Sequence, residues 1–298
     1  MCKKRNIAIF SVIVLLLMLT IVGSIWDYEI ANGVYIGQTA SENFFGILFA
    51  FIGIIPTFVG WSFLGSSIIC LAKKQVENMK KRRWLISFAV LLFVLAFFYF
   101  CNTLMLVNAN VFSVHWAIAY PIGIVVLVGA GFLGYRLSEK SDNPKLLQTV
   151  LLLAVSSLIA WALIAATKGI MDRPRFRFVL ENANAEYFRS WWQSGSALKS
   201  SLMVDAAGDE FSSFPSGHSA YAMFAIFLFP ALADYIPRLE KHRILLTIGG
   251  LIWWALTAYS RLTIGAHYLT DVCIAGLITI SAYAIAKLVR SKIVKSKS

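Results

Sequence analysis

Charged residues are scarce in this chain. Asp, Glu, Lys and Arg make up only 14% of its 298 residues, whereas a soluble domain carries about a quarter. Hydrophobic residues make up 59% of the chain, and the mean hydropathy is +0.73. Most apolar side chains must therefore face lipid or one another, which excludes a soluble globular protein.

Cysteine is also scarce, with four residues and no pair in C-x-x-C spacing. This excludes a disulfide framework and a thiolate metal site. Cys70, Cys101 and Cys273 fall within apolar stretches, which predicts buried thiols, and only the position of Cys2 favours its lipidation. The basic N-terminus and the apolar run after it resemble a signal peptide. The run continues without a small-residue cleavage pattern, so we expect an uncleaved first span.

Charge is absent from the centres of the long apolar segments. A helix needs roughly 20 apolar residues to cross the hydrocarbon layer. Proline removes a backbone donor, which predicts a tilt or a kink near Pro56 in the second segment. The sequence predicts an all-α, polytopic membrane helical bundle with about eight transmembrane helices. The eight segments are 7–26, 45–71, 84–106, 115–135, 147–167, 218–236, 244–262 and 268–289.

The positive charges lie in clusters beside the apolar runs. A net charge of +12 could indicate a nucleic-acid partner, but this clustering is typical of membrane topology, so we expect no nucleic acid. Twenty of the 27 Lys and Arg residues lie on one side of the predicted bundle. The positive-inside rule places that side, with both termini, in the cytoplasm. The long loop 168–217 then faces outward.

The loop 168–217 is the one long connection between the predicted spans. Loops longer than about 12–15 residues are usually functional or disordered, and the many aromatic residues here argue against disorder. Trp191 and Trp192 beside Arg189 favour a helix at the level of the lipid headgroups. A loop folded on itself is an equally good interpretation.

The stretch Ser260–Asp271 carries the most chemistry. His267 and Asp271 are four residues apart, which on a helix places them on one face. A carboxylate there holds one imidazole nitrogen as N–H and leaves the lone pair of the other free to attack an electrophile. Arg261 offers a planar cation that suits phosphate oxygens.

The tetrapeptide Pro215-Ser216-Gly217-His218 comes directly before the sixth segment. Ser216 is a favoured N-cap, and Gly217 lets the backbone approach a ligand. A helix N-terminus attracts phosphate, and His218 in its first turn could protonate a leaving oxygen. An ordinary helix cap with an interfacial histidine is the alternative.

Lys168, Arg173, Arg175 and Arg177 form a basic cluster where the loop begins. Snorkelling is the ordinary explanation for Lys and Arg at the end of a span. However, this side of the bundle is otherwise poor in cations, so an anionic substrate explains the cluster better.

Three blocks of sequence, K-x6-R, P-S-G-H and S-R-x5-H-x3-D, occur in this order over Lys168 to Asp271. Together they resemble the type 2 phosphatidic acid phosphatase superfamily, which includes bacterial lipid phosphatases, glucose-6-phosphatase and the vanadium haloperoxidases. The first block departs from the family pattern, because Phe176 stands where proline is expected and Arg173-Pro174 supplies that dipeptide two residues early. Five spans precede this block, whereas bacterial six-span members have three.

The resemblance implies an integral membrane phosphatase that acts on a lipid phosphate or diphosphate at the outer surface, with no cofactor and no metal. His267 would attack phosphorus, Asp271 would fix its tautomer, and His218 would protonate the leaving group. Arg173 is the alternative to Arg175 in phosphate binding. The phosphate-binding residues would be Lys168, Arg175, Ser216, Gly217 and Arg261.

The resemblance also divides the chain. Residues 1–83 would be an extra pair of transmembrane helices, 84–290 the catalytic domain with its outward loop, and 291–298 a basic cytoplasmic tail. The expected partners are a membrane lipid phosphate and the bilayer, and the oligomeric state stays open.

Several other functions remain as alternatives. A metal triad of His218, His267 and Asp271 is disfavoured because the surrounding cations would repel a divalent ion. A phosphotransferase on the same fold would differ only in the acceptor of the phosphate. An anion transporter tends to carry polar groups near the midplane, where these spans have no charge. Vanadate-dependent oxidation is disfavoured because the haloperoxidases are soluble.

Overall fold

The computed structural model describes residues 2–111, 116–202 and 209–295. Regular structure in these ranges is helical, with no strand among them, and seven helices are long and apolar enough to cross a membrane. The protein is therefore a multi-pass helical membrane bundle, which confirms the predicted fold class. The α-helices are α1 (Cys2–Val34), α2 (Phe44–Ile52), α3 (Ile55–Gln75), α4 (Met79–Val111), α5 (Trp116–Lys140), α6 (Leu146–Met171), α7 (Phe176–Glu181), α8 (Ser196–Ser201), α9 (Gly217–Met223), α10 (Ala225–Tyr235), α11 (Arg243–Thr263) and α12 (Leu269–Lys295).

The second predicted segment is divided into α2 and α3. The break falls at Gly53 and Ile54, just before Pro56. Proline is tolerated in the first turn of a helix, where its missing N–H would have no partner in the helix. The kink predicted near Pro56 is therefore confirmed.

The sixth predicted segment, 218–236, is not one continuous helix. It forms α9 and α10, which are separated at Phe224. Pro230 inside α10 has no N–H to donate to the carbonyl one turn earlier, which weakens the helix further. The prediction of a single long helix is wrong here, and neither piece has the length of the seven long spans.

Helix α3 lies at the centre of the bundle, in contact with α4, α5 and α6. The ring of Trp61 on α3 is fully buried and donates to Ser157 Oγ of α6 at 2.7 Å. Helix α12 packs against α1, α6 and α9, while α2 packs against α11. The helices before residue 83 therefore contact the C-terminal helices directly. The division of the chain at residue 83 stays a prediction.

The two ends of the bundle differ in charge. Asp27, close to the end of α1, contacts Thr270 at the start of α12, and Leu16 lies beside Gly276 further along, so the two helices run antiparallel. The start of α1 and the end of α12 therefore lie at the opposite end. At that opposite end Lys74 donates to the carbonyl of Ser141, and Arg290 donates to Gln148. The basic connections therefore gather at one end of the bundle, and the loop 172–216 lies at the other.

In the loop 172–216, Trp191 and Trp192 lie in a turn, not in a helix. Trp191 Nε1 donates to Ser24 Oγ of α1 at 2.9 Å, and its ring stacks on Phe214 with centroids 6.0 Å apart. The predicted headgroup helix is therefore wrong, because these contacts hold the loop against α1 and against itself.

Of the four cysteines, Cys70, Cys101 and Cys273 are buried and free, as predicted. The side chain of Cys2 and residues 203–208 and 296–298 lie outside the described residues.

Candidate active site

His267 lies in the short connection between α11 and α12 and is 2% exposed. Gly265, just after α11, has a φ of +64°, a left-handed conformation that glycine adopts without strain. The backbone N–H of His267 then donates to the carbonyl of Arg261 at 3.3 Å. This turn brings the imidazole into the bundle directly after the helix that carries Arg261.

The imidazole is oriented by a main-chain carbonyl. Its Nδ1 lies 2.5 Å from the carbonyl oxygen of Ser213 and 3.7 Å from Asp271 Oδ2. Because a carbonyl can only accept, Nδ1 carries the proton and Nε2 keeps its lone pair. The sequence predicts that Asp271 does this work, whereas the closer acceptor is Ser213. No residue-type pattern could reveal that acceptor, since every residue has a carbonyl.

The environment of His267 also keeps it uncharged. Burial lowers the pKa of this imidazole well below its ordinary value, and Lys168 and Arg175 act in the same direction, although Asp271 opposes them. The side chain is therefore neutral at pH 7, which is the state that a nitrogen nucleophile requires.

Asp271 is the third residue of α12 and is fully buried. Its Oδ2 accepts the backbone N–H of Tyr268 at 2.8 Å, as an acidic residue in the first turn of a helix commonly does. The same oxygen accepts the Ser213 hydroxyl at 2.6 Å, while Oδ1 accepts Arg173 Nη1 at 2.5 Å. Asp271 thus holds Ser213, whose carbonyl orients His267.

The block around His218 begins α9. The hydroxyl of Ser216 accepts the backbone N–H of Ser219 at 3.3 Å and is fully buried, so the predicted N-cap is confirmed. The N–H of Ser216 donates to the carbonyl of Asp271 at 3.1 Å, which joins this block to the start of α12. A Cβ added at Gly217 would first meet the ring of Tyr221 at 3.5 Å, an ordinary contact, so the fold itself does not require glycine there.

The predicted cations converge on the two histidines. Lys168 Nζ donates to the carbonyl of Ser212. Arg261 is 3% exposed, and its Nε has no hydrogen-bond partner, while its Nη2 reaches the carbonyl of Gly46 at 3.4 Å. Three cations lower the pKa of the His218 imidazole in addition to the larger effect of burial, and they are called the cation cluster below: Lys168, Arg175 and Arg261.

Arg173 does not belong to the cation cluster. Its guanidinium is fully buried between Asp27 and Asp271 and stacks over the ring of Tyr268 at 4.1 Å. Its Nε donates to the carbonyl of Arg189 at 2.7 Å. Because this side chain is enclosed and paired, the structure favours Arg175 over Arg173 as a phosphate-binding residue.

Two acidic residues that the sequence analysis did not select contact the basic cluster. Asp209 Oδ1 accepts Arg175 Nη2 at 2.6 Å, and Glu210 pairs with Arg177. The carboxylate of Asp209 is 74% exposed, so it covers Arg175 from the solvent side. Asp209 and Glu210 belong to no sequence block of the family, and only the folded loop brings them to these arginines.

Metal binding finds no support in the geometry. Within the described part of the chain, no group of three or more His, Cys, Asp or Glu side chains could hold a metal ion. His218, His267 and Asp271 therefore do not form the metal triad that the sequence left open.

The comparisons with known proteins agree with the three blocks. A family model, the PAP2 superfamily, matches residues 147–295, from the start of α6 to the end of α12. No curated protein and no solved structure matches the chain. The matched region contains the cation cluster, both histidines and Asp271. The predicted membership is therefore confirmed, and the chain belongs to the PAP2 superfamily of type 2 phosphatidic acid phosphatases.

Proposed function

We propose that this protein is a metal-independent membrane phosphatase that hydrolyses a lipid phosphate or diphosphate through a phosphohistidine. Phosphatase activity on phosphate esters is the activity expected of the superfamily. The observation that carries the proposal is the neutral His267, with Nδ1 bound to Ser213, beside the cation cluster.

In the first step Nε2 of His267 attacks phosphorus. Burial and the surrounding cations lower the pKa of the His218 imidazole, so His218 takes up its proton together with the substrate, whose negative phosphate offsets those cations. As the N–P bond forms, the P–O bond to the leaving group breaks, and the leaving oxygen takes that proton from His218. Lys168, Arg175 and Arg261 hold the non-bridging oxygens, where electrostatic stabilisation is strongest in the transition state. The unpartnered Nε of Arg261 supports this role, since it leaves a buried donor free for an anion.

In the second step water attacks the phosphohistidine. The water gives one proton to His218, the N–P bond breaks, and inorganic phosphate leaves. His267 recovers its lone pair and His218 its proton, so the net reaction consumes one water per phosphate released. A phosphate on Arg175 takes the place that the Asp209 carboxylate holds in the unliganded protein.

Ser216 and Gly217 contribute differently from the charged residues. The Ser216 hydroxyl is engaged in the cap of α9, so we assign it the placement of His218 and no direct phosphate contact. Gly217 leaves space beside His218 for the substrate, and its N–H is a candidate donor to phosphate.

The position of the site supports a lipid substrate. The cluster lies where α6 ends and α12 begins, at the end of the bundle, which is the level of a lipid phosphate. The opposite end carries the start of α1, the end of α12 and most basic residues, so by the positive-inside rule it faces the cytoplasm. The site then faces outward from the cell membrane, and the partners are the bilayer and its phospholipid or diphosphate lipid.

The test is phosphate release from a panel of lipids in detergent. Wild type and His267→Ala are compared on phosphatidic acid, phosphatidylglycerophosphate and undecaprenyl diphosphate, with and without EDTA. We expect wild type to release phosphate from at least one lipid, EDTA to leave the rate unchanged, and His267→Ala to be inactive.

Retained turnover in His267→Ala would exclude His267 as the nucleophile, and loss of activity in EDTA would restore a metal mechanism. Phosphorylated lipid or sugar products without free phosphate would indicate a phosphotransferase. A wild type that acts on none of these lipids would contradict the lipid assignment.

A further inference from the structure

A buried chain of charged side chains connects α1 to the nucleophile. Asp27 of α1 accepts Arg173 Nη2 at 2.9 Å, and Asp271 of α12 accepts Arg173 Nη1 at 2.5 Å. The exposed fractions are 4% for Asp27 and zero for Arg173 and Asp271. Solvent therefore does not screen these contacts, and each charged side chain is stabilised by its charged neighbours.

Asp27 also holds the start of α12. Its Oδ1 accepts the backbone N–H of Thr270 at 3.0 Å, and its Oδ2 accepts the Thr270 hydroxyl. The first N–H groups of a helix have no partner within the helix, and a negative charge there is stabilised by the helix dipole. Asp27 thus fixes, from another helix, a residue that lies between His267 and Asp271.

Arg173 transmits this constraint to Asp271. Its Nη1 is shared between Asp271 and the Thr270 hydroxyl, which lies 3.0 Å away. With Asp27 present, the guanidinium divides its charge between two carboxylates. Without Asp27, the Arg173 guanidinium would pair with the carboxylate of Asp271 alone. Because Asp271 also accepts the Ser213 hydroxyl, a displaced Asp271 would move the carbonyl that orients His267.

Stability does not account for this network. Burying ions removes their hydration, and replacing a buried ion pair by apolar residues is often neutral or stabilising. Three buried charges in contact are therefore better explained by a need to orient a group than by a need to hold the fold. The group at the end of the chain of contacts is His267.

We propose that Asp27 and Arg173 are positioning residues that act through Asp271 and Ser213 to hold His267 in the orientation for attack. The proposal rests on the phosphatase function proposed above. Asp27 lies outside residues 147–295 that the family model matches. The first helix of the chain thus supplies part of the catalytic machinery, without touching the phosphate.

The first experiment compares Asp27→Asn with Glu29→Gln, since Glu29 is an exposed carboxylate on the same helix. We expect Asp27→Asn to lower kcat about 10- to 100-fold, by analogy with the loss found when the partners that orient metal-binding histidines are removed. KM and the inhibition constant of inorganic phosphate should stay within about twofold, because neither reports on the transition state. Glu29→Gln should behave as wild type.

Orthovanadate separates a positioning role from a structural one. It binds the nucleophile in a geometry like that of the transition state, so its inhibition constant should rise by the same factor as kcat falls. A loss of folded enzyme would lower the apparent kcat but leave vanadate inhibition unchanged. A vanadate constant equal to that of wild type would therefore overturn the proposal.

A double-mutant cycle tests whether Asp27 acts through Arg173. In Arg173→Met the carboxylates of Asp27 and Asp271 face each other without a cation. Adding Asp27→Asn to that variant removes one of the two charges and should raise kcat, although the same substitution lowers it in wild type. Opposite signs demonstrate coupling between the two sites. Losses that simply add would refute it.

If Asp27→Asn does not fold, the same measurements are made on Thr270→Val, because this substitution removes only the hydroxyl that contacts both Asp27 and Arg173. We expect a fall in kcat of about 3- to 10-fold, the effect of one hydrogen bond, at unchanged KM. An unchanged kcat would overturn the inference. The two proposals fail separately, since an inactive wild type contradicts the phosphatase, whereas an active wild type with a fully active Asp27→Asn contradicts only the positioning role.

Discussion

Asp209 pairs with Arg175, the guanidinium to which we propose that the substrate phosphate binds. Its Oδ1 lies 2.6 Å from Arg175 Nη2, and its backbone carbonyl accepts Arg175 Nε at 2.8 Å. The substrate phosphate must displace the carboxylate before it can bind Arg175 from the same side. We therefore predict that Asp209→Asn, which removes the charge and keeps the size, binds phosphate more tightly than wild type does.

The size of this gain in phosphate affinity follows from the solvent exposure of the Asp209–Arg175 pair. The side chain of Asp209 is 74% exposed and that of Arg175 is 11% exposed. Exposed ion pairs contribute about 0–1 kcal/mol because water and salt screen them. The upper part of this range is appropriate here, since the guanidinium is buried. A gain of about 0.5–1 kcal/mol corresponds to a decrease of about two- to fivefold in KM.

The effect should not depend on pH in the neutral range. Burial raises the pKa of Asp209, but Arg175, Arg177 and Lys168 outweigh it and hold the pKa below the ordinary value of about 3.9. A depressed pKa means that the ion pair is present above that value and is lost only as pH falls through it. The difference between wild type and Asp209→Asn should therefore persist from about pH 5 upward.

The assay measures KM for a lipid phosphate and the inhibition constant of inorganic phosphate at several salt concentrations. Both constants should fall in Asp209→Asn, and the difference from wild type should shrink as salt screens the pair. Glu210→Gln is the matched control, because its side chain pairs with Arg177 and lies one residue away. A higher KM in Asp209→Asn, or the same decrease in both variants, would refute the competition.

Two further predictions concern His218 and Arg261. His218→Ala should lose most activity on a lipid phosphate but less on an activated aryl phosphate, because the aryl leaving group needs no proton. Equal losses of activity on the two substrates would exclude the role of His218 as a general acid. Arg261→Met should lower kcat about 10²- to 10³-fold, because it removes a cation that stabilises the transition state. It should also raise the thermal midpoint of unfolding in detergent, because the guanidinium is buried with one unpaired donor. A lower midpoint with unchanged kcat would contradict both expectations.

Features of the fold that depend on local sequence could be predicted. Apolar length identified the spans, and Pro56 identified the kink, because each follows from hydropathy or backbone chemistry within one segment. The break at Phe224 could not be predicted, since its residues favour a helix on both sides. The contacts among α1, α11 and α12 were also beyond prediction, because they depend on packing between distant segments.

Candidate site residues could be selected from the sequence only where residue type carries the chemistry. His267, His218, Lys168, Arg175 and Arg261 are recognisable by type and spacing. Ser213 orients His267 through its carbonyl, which has no signature in sequence. Asp27 is 146 residues from Arg173, and no pattern connects the two positions.

The matched region does not contain the whole site. Helix α1 supplies Asp27 to Arg173, and the carbonyl of Gly46 on α2 is the acceptor that Arg261 reaches. A Cβ at Gly46 would come within 2.4 Å of Ile264 Cγ2, so α2 approaches the turn before His267 more closely than any other residue would allow. Both contacts fix the positions of segments that bear the proposed reactive groups. Residues 147–295 alone would leave Arg173 with one carboxylate and Arg261 without the carbonyl of Gly46, so we expect the N-terminal helices to be required for the proposed activity.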